Sequence, residues 1–301
     1  MGLKDEEADM YDFMWIDAFT ESRFGGNPCA VVFGADDISV EDRIAFTRET
    51  GLVECAFIVA SDAADFGARY YMPTGEILMA GHPTVATVSA MIEAGMVDLT
   101  GGAASFTLEV GAGVIGIEAA AQEARPPLVT MTQLRPEFLR QYPAREIAAL
   151  YGLTADDVIG EPQTVSTGTP FCITRISSID AIRRAKLDVD ALAKYRERVD
   201  ADFMEPYLCV TEGAEAGDTF GRLLLPPPFP PEDPFTGSAT GCMASYLYRN
   251  GWIGQRFVHE QGHDLGRPGR ADVELLGPPD DISGVKVAGS GVLIMRGTVD
   301  I

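Results

Sequence analysis

Two segments decide the reading of this chain: Gly81-His82-Pro83-Thr84-Val85-Ala86-Thr87-Val88-Ser89-Ala90-Met91-Ile92-Glu93-Ala94-Gly95 and Gly237-Ser238-Ala239-Thr240-Gly241-Cys242-Met243-Ala244-Ser245-Tyr246-Leu247-Tyr248-Arg249-Asn250-Gly251. Each opens on glycine, is crowded with small residues and closes on glycine, which ends helices by entering the left-handed conformation without steric cost. Beyond a terminal charge or two, neither has a broad charged face. Both are predicted to be buried helices whose small side chains let strands approach closely. The sequence around them is β-rich. Strand-like runs cover residues 13–19, 29–33, 55–59, 68–72, 105–110, 114–118 and 128–132, then 171–176, 207–211, 219–225, 272–275, 284–288 and 292–299. With 32 Gly and 19 Pro between and within them, these runs favour tightly turning antiparallel sheets over long helices. Three more helices are expected. One spans 39–50, with a Ser39 to Asp42 arrangement resembling a capping box and Val40, Ile44 and Thr47 on one face; the others, 145–151 and 189–198, lie at the surface.

A weaker echo precedes each buried helix: Gly26-Asn27-Pro28-Cys29-Ala30-Val31 in one half and Gly168-Thr169-Pro170-Phe171-Cys172-Ile173 in the other. A Gly/Pro turn, an apolar strand and then a small-residue helix, repeated in order, read as a duplicated unit. The expected fold is α+β, with two pseudo-equivalent lobes, each a mostly antiparallel sheet or barrel around a central helix. The expected division is an N-terminal lobe, 1–125, and a C-terminal lobe, 126–286, joined near 123–127, with the last strand, 287–301, returning to the first lobe. Such lobes leave a cleft between them, and two helix N-termini aimed at it would offer unpaired N–H groups to a carboxylate. The same glycines would equally serve a plain strand-to-helix turn.

Composition narrows the function. Lys and Arg number 23 against 45 Asp and Glu, a formal charge of −22. That surface repels nucleic acid and anionic lipid, so any anion site must be made locally. The segment Met1-Gly2-Leu3-Lys4-Asp5-Glu6-Glu7-Ala8-Asp9 is acidic where a secretory signal would be basic and then apolar. The longest weakly polar stretch, 77–92, is interrupted by His82 and Pro83 and is too short for a bilayer, so a cytoplasmic location is expected. Five widely spaced cysteines (Cys29, Cys55, Cys172, Cys209 and Cys242) sit mostly in apolar runs and read as free buried thiols. No metal-ligand spacing and no phosphate-binding glycine loop occurs, so neither a metal nor an organic cofactor is expected.

Further motifs run in order along nearly the whole chain. Ile16-Asp17-Ala18-Phe19 precedes the Gly26 turn, followed by Leu52-Val53-Glu54-Cys55-Ala56-Phe57 and by Tyr71-Met72-Pro73-Thr74-Gly75-Glu76-Ile77 with Ala80-Gly81-His82-Pro83. The second half carries Glu232-Asp233-Pro234-Phe235-Thr236-Gly237-Ser238-Ala239, then Gln261-Gly262 with Gly266-Arg267-Pro268, then Val287-Ala288-Gly289-Ser290-Gly291-Val292. Together they resemble the PhzF-like phenazine-biosynthesis isomerase family, whose fold is similar to that of diaminopimelate epimerase.

The resemblance implies Glu54 as the proton-transfer residue, His82 and Asp233 as its active-site partners, and Ser238 as a substrate-contacting hydroxyl. Gly81, Gly237 and Ala239 would bind substrate through their backbone. Glu54 suits its role physically, because a carboxylate against Val53 and the strand at 55–59 has its charged form disfavoured; an isolated Glu there would read as an exposed turn charge. His82 at a helix N-terminus should stay neutral. Taken alone, Asp233 would be a turn residue and Ser238 a helix cap. The positions of the epimerase cysteines correspond to Ala80 and Thr236, which rules out a two-thiol base pair; Cys55 and Cys242 read as core thiols. His259 and His263, in a polar, Gly-rich segment, are expected to face solvent. Val53 and Cys55, where hydroxyl residues are common, the proline-rich 225–231 loop, and Phe235 depart from the family pattern; these departures bear on the substrate, not the reaction type. The expected activity is cofactor-independent proton transfer and double-bond migration in a small unsaturated, cyclic or amino carboxylic acid of secondary metabolism. An epimerase and a catalytically silent binding protein are the alternatives. The expected partner is a small carboxylate, with a homodimer as the one protein assembly considered.

Overall fold

The computed structural model describes residues 10–199 and 206–301; the acidic segment 1–9 lies outside them. The first part of the chain forms β1 (Met10–Ala18), β2 (Asn27–Val32), α1 (Val40–Thr50), β3 (Cys55–Val59), β4 (Phe66–Met72), β5 (Gly75–Ile77), α2 (Gly81–Glu93), β6 (Ala103–Val110), β7 (Gly113–Gln122) and β8 (Arg125–Gln133). The rest forms β9 (Glu137–Gln141), α3 (Ala144–Leu150), β10 (Gln163–Ser166), β11 (Pro170–Arg175), α4 (Ile179–Arg184), α5 (Val189–Arg198), β12 (Pro206–Val210), β13 (Thr219–Leu224), β14 (Glu232–Asp233), α6 (Gly237–Arg249), β15 (Arg256–Gln261), β16 (Gly269–Leu276) and β17 (Gly284–Asp300).

The strand pairings expose the duplication. In the first lobe β1 pairs antiparallel with β2, β2 parallel with β3, β3 antiparallel with β4, β4 antiparallel with β5 and parallel with β6, and β6, β7 and β8 form an antiparallel meander. The second lobe repeats the same order and directions from β10 through β11, β12, β13, β14, β15 and β16 to β17. The long strand β17 links the two. Residues 284–290 lie between β16 and β8, and 291–300 pair with β1, so β17 closes β1, β2, β3, β4, β6, β7 and β8 into a barrel. The runs at 284–288 and 292–299 are therefore one strand, with a register shift opposite Trp15 and Ile16.

Each lobe wraps a helix, and burial explains the composition of both. Every residue of α2 from Gly81 to Met91 is buried, as is α6 from Ala239 to Leu247. The former packs on β1, β2, β3, β8 and β17, the latter on β10, β11, β12, β16 and β17. Where only one sheet face is covered, side chains alternate: in β7, Ile115, Ile117 and Ala119 point inward between exposed neighbours. Strand β12 is buried throughout because α3, α4 and α5 cover its outer face.

Some expectations need correction. The helix predicted at 39–50 forms and Ser39 caps it, accepting the Asp42 N–H at 3.1 Å. Its buried residues, however, are Arg43 and Thr47, while Val40 is exposed: the Arg43 guanidinium donates to the Ala35 carbonyl and lies over the Phe57 and Tyr71 rings, so it takes the inward place. His259 does not face solvent. It lies on β15, fully buried between β13 and β16, and its ring packs near Phe235. His263 is also largely covered, its side chain 10% exposed against Phe220. Glu260 and Gln261, the polar neighbours of His259, spend their polarity on buried hydrogen bonds, so the polar segment there is interior. Among the described residues, no helix is long and apolar enough to cross a membrane.

Candidate active site

The N-termini of α2 and α6 meet head to head. A Cβ placed on Gly81 would come within 2.5 Å of the Gly237 backbone, and one on Gly237 within 3.0 Å of the Gly81 Cα and 2.7 Å of the Phe19 ring. Phe19 stacks on Phe235, ring centroids 4.3 Å apart, beneath this junction. Glycine here is thus required by the approach of two helices. Neither helix receives a side-chain cap, since Ala80 has none to give and the Thr236 hydroxyl is used elsewhere. Two dipole ends with unpaired N–H groups therefore converge.

Glu54 reaches this junction from the turn where Gly51, in the left-handed conformation, ends α1 before β3 begins. Its side chain is 17% exposed, and Oε2 lies 3.5 Å from Nδ1 of the buried His82. Asn27, the first residue of β2, ties the lobes together. Its amide NH₂ donates to Asp233 Oδ1 at 2.7 Å and to the Phe235 carbonyl at 2.8 Å, and it lies 3.0 Å from His82 Nδ1. An NH₂ facing Nδ1 makes that nitrogen an acceptor and puts the ring proton on Nε2, which is buried without a partner among the described residues.

Burial dominates the electrostatics. It raises the Glu54 carboxyl well above the usual carboxylate range, and the charge of Asp233 raises it further. Asp233 is pushed up to about 7 by burial, against the hydrogen bonds from Thr236 and Asn27 that favour its charged form. Burial lowers His82 to about 3, so its contact with Glu54 at neutral pH is between a neutral ring and a carboxyl group and is no ion pair.

A buried chain of hydrogen bonds stands behind Asp233. Thr236 donates its hydroxyl to Asp233 Oδ2, and its N–H donates to Gln261 Oε1 at 3.0 Å. The Gln261 NH₂ donates to the Asp233 carbonyl at 2.8 Å, which fixes the orientation of that amide. The Tyr207 hydroxyl donates to Gln261 Oε1 at 2.8 Å, so His259 Nε2, 2.7 Å from the same hydroxyl, must be the donor and Nδ1 the acceptor from Thr219 at 2.9 Å. Burial holds His259 neutral, at about 3, as this pattern demands.

Glu54, Asp233, Thr236 and Ser238 line a cavity of about 530 Å³. Gly81, His82, Gly237 and Ala239 are not on its wall; they lie at the helix junction behind it. The five cysteines are free and buried, and burial raises Cys55 and Cys242 to about 11, unfit for thiolate chemistry at neutral pH. Asn27, Thr236 and Gln261 were not singled out for a role, although all three stand in the quoted motifs. The mark they share is a polar residue beside Gly: Gly26, Gly237 and Gly262.

Two lobes built on one plan bring ionisable groups with raised pKa values together at the meeting of their central helices, an arrangement that marks an enzyme's active site. Residues 16–297 match the family described as phenazine biosynthesis-like protein, PhzC-PhzF, and the chain belongs to it. An uncharacterised isomerase of Bacillus subtilis, YfhB, is 28% identical over 278 residues, covering 91% of this chain and 92% of that one. The trans-2,3-dihydro-3-hydroxyanthranilate isomerase of Pseudomonas chlororaphis is 28% identical over 298 residues, covering 96% and 99%. A crystal structure of the phenazine biosynthesis protein of Bacillus anthracis, PhzF family, superposes with a TM-score of 0.84 at 25% identity, covering 97% of this chain and all of that one. The chain is an isomerase of this family.

Proposed function

We propose that the chain moves a proton, and with it a double bond, within a small unsaturated monocarboxylic acid, with Glu54 as the shuttle. The observation that carries this reading is the placing of Glu54, with its raised pKa, on the wall of a cavity shared with Thr236 and Ser238 at the uncapped N-terminus of α6, in front of the junction with α2. The substrate carboxylate would sit against the free N–H groups and the Ser238 hydroxyl. Ionised Glu54 would take a proton from an acidic carbon, and the electron pair left behind would spread through the conjugated system into the carboxyl group, where the helix ends stabilise it. The same proton, now on Glu54, would then be returned to a more distant carbon of that system, leaving the enzyme unchanged. A raised pKa suits both halves of this cycle, since the group must give the proton up as readily as it takes it. His82 and Asp233, held by Asn27, would fix the shuttle and polarise the substrate.

The activity carried by the Pseudomonas chlororaphis relative makes trans-2,3-dihydro-3-hydroxyanthranilate and related cyclic acids the first compounds to try. Glu54→Gln should lower turnover by roughly 10²–10⁴-fold with binding retained, and Glu54→Asp should restore part of it. Glu54→Gln turning over at the wild-type rate would remove Glu54 from the mechanism. One observation favours a second reading, epimerisation: Glu54 and Asp233 come from opposite lobes and both have raised pKa values, as a two-base pair would. A product differing from substrate in optical rotation but not in ultraviolet absorbance would establish it.

A further inference from the structure

The reading above leaves the substrate's other end open, and the cavity describes it. Resting on that reading, we infer that the substrate is a monocarboxylic acid carrying a bulky apolar group, aryl or branched alkyl, which lies between the loop at 72–79 and the loop at 225–229.

Size comes first. An acid with one six-membered ring displaces on the order of 150 Å³, or about five waters at about 30 Å³ each. The cavity holds about 530 Å³, so most of it would remain unfilled. Polarity comes next. Asp233, Thr236 and Ser238 cluster just before and at the start of α6, Glu54 is joined to them through His82 and Asn27, and Thr74, Glu76, Thr169 and Arg196 are the other hydrogen-bonding side chains of an otherwise apolar wall. The apolar wall between them is Met72, Ile77 and Leu78 from one lobe and Leu223, at the end of β13, with Leu225 and Phe229 from the other, side chains that cannot pair with a polar substituent.

These apolar side chains are held at the cavity by their backbones. Leu78 is 61% exposed, yet its carbonyl accepts the Ala112 N–H at 2.8 Å, and its Cα stands 3.0 Å from where a Cβ on Gly111 would lie. On the other side Leu225 donates its N–H to Pro231 at 3.0 Å and Phe229 to Pro226 at 3.3 Å, which ties the proline-rich loop into a turn. Leu78 in the open, with the half-buried Met72, Ile77, Leu225 and Phe229 beside it, marks a place where apolar surface is buried on binding. Charge completes the description. Glu54, Glu76 and Asp233 stand on the wall against Arg196, so the uncapped helix ends accept one carboxylate and the rest of the cavity disfavours a second.

The test uses the whole chain and three probes, benzoate, 4-biphenylcarboxylate and phthalate, by titration calorimetry, with amide and methionine-methyl resonances followed by NMR. The biphenyl acid should bind about 30-fold or more tightly than benzoate, through its extra apolar surface, and phthalate no more tightly than benzoate. The exposed substitution Leu78→Asn, together with Phe229→Ser, should bring the two aromatic acids within about threefold of each other while leaving benzoate unchanged. Both acids should shift the Ser238 amide, and only the biphenyl acid the Met72 methyl. Equal affinities with the Ser238 shift present would overturn the inference and leave the site intact. Binding that leaves Ser238 unmoved, or no binding by any probe, would overturn the site assignment and the inference with it. Tight biphenyl binding that survives the double substitution, or that dimerises the chain, would place the apolar contact elsewhere or assign it to a second copy.

Discussion

Glu54 has a raised pKa because its surroundings withhold water and offer only another carboxyl and a neutral ring. Since the shuttle must start ionised, the rate at low pH should rise along a limb whose midpoint lies above the usual carboxylate range; a pH profile of kcat/KM measures it. Stability has the opposite dependence on the same carboxyls. Between 3.8 and about 7 folded Asp233 holds a proton that the unfolded chain has released, so its contribution falls as pH rises through that window. His82 and His259 act the other way. Lowered from 6.5 to about 3, they take up protons only on unfolding, so their contribution is full above 6.5 and is lost as pH falls toward 3. Because the raised Glu54 and Asp233 offset the two histidines down to the ordinary carboxylate range, urea midpoints should drop on acidification only below about 4, and less steeply in His259→Gln. Tyr207→Phe removes the link between His259 and Gln261 and leaves the buried His259 Nε2–H without a partner, while Gln261 Oε1 keeps the Thr236 N–H, which should cost about 1–3 kcal/mol in the same assay.

The two central helices show what an element requires of its sequence. Gly81→Ala or Gly237→Ala adds a single methyl where the opposing backbone already stands, and should cost about 1–3 kcal/mol by denaturant titration, with loss of ligand binding as the lobes are forced apart. These helices were legible in the sequence because burial left them no charged face and their close approach left them no large side chains. The long strands were legible for a related reason, an apolar run between Gly and Pro. The elements that local sequence does not mark are short or polar: β5, β9, β10, β14, β15 and the six-residue helix α4. Strand β14 has two residues, Glu232 and Asp233, and its pairing with Leu223 and Leu224 depends on distant sequence. Strand β15 carries His259, Glu260 and Gln261, all buried, because Glu260 accepts the N–H groups of residues 215–217 while its neighbours support Asp233. Local polarity cannot distinguish a solvated loop from a hydrogen-bonded interior, so the support behind the site stayed hidden while the groups facing the cavity did not.

For the molecule as a whole the formal charge of −22 opposes both folding and the approach of an anion. Raising NaCl from about 20 mM to about 0.5 M should increase Tm by several degrees and speed the association of a carboxylate ligand, as differential scanning calorimetry and stopped-flow mixing would show. The gain in association should vanish for an uncharged amide analogue of the same ligand. The strand shared by the lobes also governs how the chain is made. Residues 10–133 hold seven strands of the first barrel, but its eighth comes from residues 284–300. At about 5–20 residues per second the ribosome leaves that barrel open on the order of ten to thirty seconds, with β1 and β8 as bare edges. Nascent chains stalled between residues 134 and 283 should therefore be captured by chaperones that hold unpaired strands, and should shed them once β17 has emerged from the exit tunnel.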